Sequence, residues 1–67
     1  MTLRHRVGRN VKRARLARGW SQQILADRAG VQRAFVTMIE GGRRGMSLEV
    51  LDSLAKPLRV SPMTLLR

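Results

Sequence analysis

The chain has no cysteine, which excludes disulfides and thiolate metal sites. Its one histidine, His5, cannot build a metal centre by itself, and neither a metal nor a cofactor is expected. Tyrosine is absent, and one Trp and one Phe complete the aromatic content, too little surface for stacking the bases of a single strand. With few carboxylates and no Cys–His or Ser–His–Asp set, no catalytic site is expected, and an enzyme is excluded. No apolar run approaches the roughly 20 residues of a membrane span, and no signal-peptide pattern opens the chain. A cytoplasmic, nucleoid-associated location with no membrane partner is therefore expected. Repeats, low-complexity tracts and linkers are also missing, and 67 residues leave room for a single domain, 1–67.

What is abundant is positive charge. Fourteen Lys and Arg face four Asp and Glu, a formal net charge of +10. All but Lys12 and Lys56 are arginines, whose planar fork grips phosphate as an ammonium cannot. Such an excess repels itself until a polyanion neutralises it, and nucleic acid is the leading partner. A domain this small buries only about 60% of the surface its unfolded chain exposes, so a partner subunit would add needed stability.

Glycine and proline punctuate five short helical patterns and no strand. In the first, about residues 2–18, Leu3, Val7, Val11 and Ala14 draw one apolar stripe, and Gly8 weakens the helix by up to about 1 kcal/mol. Leu16 lies off that stripe, and Gly19 closes the segment. Ser21 reads as the cap of a second helix, 22–29, with Ile24, Leu25 and Ala29 on its buried side and Trp20 packed back as a staple. Gly30 supplies a left-handed break. A third helix, about 32–41, carries Val36 and Ile39 at core spacing. Beyond it lies a basic loop through Arg43 and Arg44. Ser47 caps a fourth helix, 48–56, with Leu48, Leu51, Leu54 and Ala55 inward and an end or kink at Pro57. Ser61 and Pro62 open a last helix, 63–67. Met38, Met46 and Met63 read as adaptable packing residues.

The segment 21–42 carries the function. Two short helices joined by a glycine turn must cross closely. Ala26 is small where the backbones approach, Gly30 makes the turn, and Val31, Val36 and Ile39 anchor the second helix. The pattern reads as a helix-turn-helix, whose second helix enters the DNA major groove.

The residues Ser21-Gln22-Gln23-Ile24-Leu25-Ala26, Gly30-Val31 and Val36-Thr37-Met38-Ile39-Glu40-Gly41-Gly42 closely resemble the Cro and phage-repressor (XRE-like) helix-turn-helix family. The sequel from Ser47-Leu48 to Val60-Ser61 resembles it too, so the likeness spans about Val7 to Leu66. It implies an all-α, five-helix, lambda-repressor-like DNA-binding domain. It also implies roles for particular residues. Gln22 matches a phosphate-binding position, while Gln32, Arg33, Ala34, Thr37 and Met38 match base-contacting ones. Arg33 can bond both acceptors of a guanine edge, and Ala34 can touch a thymine methyl. Arg43 and Arg44 match a loop that clamps the DNA backbone, and Glu40 matches an internal acid paired with an arginine of the first helix, here Arg15. Gln32 departs from the Ser or Thr usual at its position, and Pro57 from a usual helix former.

The function expected on these grounds is sequence-specific binding of double-stranded DNA by a homodimeric repressor or autoregulator on an inverted-repeat operator. The alternative is an antitoxin-like protein whose main partner is a toxin. RNA polymerase is a further possible protein partner, and a charge-driven architectural or RNA-binding protein is a third reading.

Overall fold

The computed structural model describes residues 2–67 and has five α-helices: α1 (Leu3–Ala17), α2 (Gln22–Ala29), α3 (Arg33–Glu40), α4 (Leu48–Leu58) and α5 (Pro62–Leu66). No strand occurs among the described residues. Side-chain caps start four of the helices. The hydroxyls of Thr2, Ser21, Ser47 and Ser61 accept from the backbone N–H three residues on, each meeting one donor that the first turn leaves unpaired. Only α3 begins without one, since Gln32 makes no capping bond.

Every helix contributes to one core. Val7 and Val11 of α1 meet Leu25 and Ala26 of α2, Val36 and Ile39 of α3, the Leu51, Leu54 and Leu58 row of α4, and Leu65 of α5. Each large side chain so buried contributes about 1.5–3 kcal/mol of transfer free energy. The α3 helix packs against both α1 and α2, while α5 lies across α1 and α4. Asn10 ties α1 to the end of the chain by donating to the carbonyls of Leu65 and Arg67, at 3.0 and 2.9 Å.

The sharp turn of the helix-turn-helix is made at Gly30, where φ is +72°. The N–H of Val31 closes it by donating to Ala26 O at 3.0 Å. At that φ a side chain would crowd the backbone, so glycine is the natural occupant. Arg59 adopts the same region, with φ of 56°, at the end of α4.

Several details differ from the sequence reading. Pro57 does not end α4, which runs on to Leu58. The proline stands in the last turn, where one missing N–H costs a single bond. The helix still closes with Val60 N donating to Ala55 O at 3.2 Å. Leu3 and Leu48 are 59% and 77% exposed because each lies in a first turn that overhangs the core. Ile24 sits at the edge of its buried stripe, and Met63 points outward rather than packing.

Gly8 has a larger role than its low helix propensity suggests. A Cβ built there would overlap the carbonyl oxygen of Ile39 and stand 2.9 Å from that of Glu40. The glycine lets α1 touch the backbone of α3 directly. Gly8→Ala is therefore expected to destabilise the domain by about 1–3 kcal/mol, against the gain in helix propensity, because backbone cannot yield as a flexible side chain would. Thermal or urea denaturation checks this, and an unchanged or raised midpoint would refute the close-contact role.

Candidate nucleic-acid interface

The centre of the site is a buried ion pair. Arg15, on α1, donates from Nε to Glu40 Oε2 at 2.7 Å and from Nη2 to Glu40 Oε1 at 2.9 Å, and its Nη1 donates to the carbonyl of Trp20 at 2.7 Å. The two side chains are 8% and 4% exposed. One planar group thus joins α1, the α1–α2 turn and the end of α3, which an ammonium could not do. The hydrogen bonds it donates to Glu40 hold the guanidinium pKa above its ordinary value, against the opposing effect of burial. Because the shift is upward, the stabilisation that Arg15 gains from its charge is present at neutral pH and is lost as pH rises through the guanidinium range.

Gln22 extends this pair to the surface. Its Nε2 donates to Glu40 Oε1 at 3.2 Å, and its Oε1 accepts from the Thr37 hydroxyl at 2.9 Å. The residue expected to contact phosphate thus links the ion pair to the outer face of α3. A second N–H of its amide has no bond among the described residues.

The outer face of α3 carries Arg33, Ala34 and Thr37, all exposed, with Gln32 exposed at its head and Met38 half-buried at its margin. Val36 and Ile39 turn the opposite way, into the core. The structure therefore brings Gln22, Gln32, Arg33, Ala34 and Thr37 onto one side. Arg43 and Arg44 follow in the exposed loop after α3.

Contacts at three aromatic rings had no clear sign in the sequence. Arg44 lies over the Phe35 ring, 4.8 Å from its centroid. Arg18 and Arg28 lie 5.3 and 4.7 Å from the centroid of Trp20. Each such cation–π contact contributes about 0.5–1 kcal/mol at an exposed site. They also hold guanidinium groups extended at the surface. The third is His5, whose ring covers Gly42 so closely that a Cβ there would collide with it. Arginines near each aromatic residue in sequence were the available signal for the first two, but which of them lies over a ring depends on rotamers.

A short helix with a polar outer face, seated across a second helix through a glycine turn and followed by a basic loop, defines a helix-turn-helix DNA-binding domain. No cluster of His, Asp or Glu among the described residues could hold a metal ion. No helix there is long and apolar enough to cross a membrane.

Comparison with known proteins agrees with this class. A family model described as a helix-turn-helix domain matches residues 6–66. The competence pilus inhibition repressor of Acinetobacter baylyi is 36% identical over 55 residues, covering 82% of this chain. The chain spans half of that repressor's length. The crystal structure of the hypothetical transcription factor NHTF from Neisseria superposes with a TM-score of 0.95 at 32% identity, covering 98% of this chain and 76% of that one. SinR of Bacillus subtilis, the master regulator for biofilm formation, has been solved in complex with DNA. It superposes with a TM-score of 0.87 at 32% identity, over 91% of this chain and 98% of that one. The chain belongs to the helix-turn-helix family of Cro/phage-repressor (XRE-like) type, a family of DNA-binding transcriptional regulators and not of enzymes.

Glu40→Gln keeps the shape of the pair but leaves the Arg15 charge unmatched. The expected loss is about 3–5 kcal/mol, a large part of the roughly 3–10 kcal/mol that holds a domain of this length. Replacing both residues by apolar ones, Arg15→Met with Glu40→Leu, should recover part of it. Urea midpoints for the two variants check this, and equal losses would show that the cost lies elsewhere than in the unmatched charge.

Proposed function

We propose that this chain binds double-stranded DNA sequence-specifically as a homodimer on an inverted-repeat operator, acting as a repressor or autoregulator. The observation that carries this reading is the outer face of α3, where Arg33, Ala34 and Thr37 stand exposed and backed by the Gln22–Glu40–Arg15 chain. Laid in the major groove, Arg33 reads a guanine edge through its two acceptors, Ala34 meets a thymine methyl, and Gln32 and Met38 contact bases at the margins. Gln22 uses its remaining N–H on a phosphate. Arg43 and Arg44 neutralise the flanking backbone, with Phe35 holding Arg44 outstretched, and add affinity without sequence preference.

Size supports the homodimer reading. The largest Cα extent of the domain is 26 Å, short of the about 34 Å that separates successive turns of one groove face. Reading two half-sites takes two copies. A groove lined by Leu3, Met46, Leu48 and Leu66, with Arg4 and Arg44 also in its lining, is a surface a second copy would cover. The repressor role rests on the relatives' names, above all the competence pilus inhibition repressor.

The test is selection from randomised duplex DNA at near-physiological salt, with wild type and Arg33→Ala in parallel. Wild type is expected to enrich a two-fold symmetric site, and the variant to lose preference at one position per half-site, worth about 1–3 kcal/mol. If both bind yet neither enriches a sequence, charge alone drives binding and the reading fails. Arg43→Ala and Arg44→Ala should each weaken binding to all sequences alike and lower the slope of log K against log salt by about 1.

A further inference from the structure

Thr37 stands exposed on α3, one turn after Arg33, and its hydroxyl has two neighbours within the protein. Gln22 Oε1 lies at 2.9 Å and the carbonyl oxygen of Arg33 at 3.2 Å. Both are acceptors. For the backbone carbonyl this is inherent. For Gln22 it is imposed, because the other end of the amide faces Glu40 Oε1 at 3.2 Å, and only an NH2 group can donate to a carboxylate. Both oxygens of that carboxylate already accept from the donor-only guanidinium of Arg15. The donors therefore run one way, from Thr37 to Gln22 to Glu40. A hydroxyl has a single proton, and whichever neighbour takes it, that proton points into the protein. What Thr37 presents outward is lone pairs.

A threonine in a groove can ordinarily pair with a donor or an acceptor. Here we infer that Thr37 reads DNA only as an acceptor, taking a hydrogen bond from an exocyclic amino group, adenine N6 or cytosine N4, and that the Gln22–Glu40 link sets this polarity. In the major groove these amino groups are the base-edge donors, while guanine N7 and O6, adenine N7 and thymine O4 are acceptors. The same argument removes phosphate from the partners of Thr37, since its oxygens only accept. The inference rests on the reading of α3 as the groove helix and adds the chemical group that one of its residues selects.

The test removes single functional groups from the DNA. Selection with wild type and the near-isosteric Thr37→Val first locates the base pair whose preference depends on the hydroxyl, with Thr37→Ser expected to retain that preference. At that pair the amino group is then deleted, with purine for adenine or 2-pyrimidinone for cytosine. In parallel the keto group opposite is deleted, with 5-methyl-2-pyrimidinone for thymine or 2-aminopurine for guanine. Loss of the amino group should weaken wild type about three- to tenfold, the worth of one neutral hydrogen bond, and leave Thr37→Val unaffected once the cost to base pairing is cancelled in the cycle. If the Thr37-dependent loss follows the keto group, or if Thr37→Val alters no position, the inference is overturned while the groove reading stands. If wild type enriches no sequence, both fall together. The comparison of amino with keto deletion in the wild-type arm acts on the unaltered protein, so that arm does not depend on how well a variant folds.

Discussion

The bond between Arg15 and Glu40 ties together the three helices that make up the DNA-binding unit. Glu40 is the last residue of α3, and Arg15 lies near the end of α1. The same guanidinium holds the Trp20 carbonyl in the turn leading to α2, and the same carboxylate holds Gln22 at the start of α2. Arg15 and Glu40 both have their partners, and no buried side-chain polar atom among the described residues lacks one. That completeness is what makes a buried charge tolerable, since a half-satisfied network costs more than an apolar core. The close approach of α1 and α3 at Gly8 serves the same end, because the pair can form only if the two helices lie in contact.

Positive charge is distributed accordingly. Among the arginines, Arg15 alone is buried, and it is matched by a carboxylate. The others stand at or near the surface, where water and salt screen their repulsion. Trp20 and Phe35 serve there as apolar shelves for guanidinium groups. Self-repulsion of this kind opposes folding mildly until phosphate relieves it, so binding DNA and stabilising the fold draw on the same charges.

The parts of this structure that are local in sequence were legible there. The hydroxyl caps, the Gly30 turn and the 3.6-residue spacing of the core each depend on a few adjacent residues, and helix boundaries read from them lie within a few residues of those observed. What escaped was set by tertiary distance. Gly8 reads as a weak point in a helix until α3 is laid against it. Pro57 reads as a helix end until its place in the last turn is known, and Leu48 reads as core until α4 is seen to overhang. In the site, the resemblance to a family supplied candidate residues by position. The Thr37–Gln22 bond and the Arg44–Phe35 contact depend on rotamers that a sequence does not specify.

The α3 helix is also the least self-sufficient of the longer helices. It has eight residues, fewer than an isolated helix needs in water. It also begins without the side-chain cap present on its four neighbours, a device worth about 1 kcal/mol. Its order comes from behind, through Val36, Ile39 and Glu40. The face turned to solvent contributes little to stability, so the identities of Gln32, Arg33 and Ala34 are not set by what they support. Thr37 is the exception. Its hydroxyl belongs to the supporting network and to the exposed face of α3 at once. On the reading proposed for α3, the fold and the specificity are largely separable, and the Gln22–Thr37 bond is where the two meet.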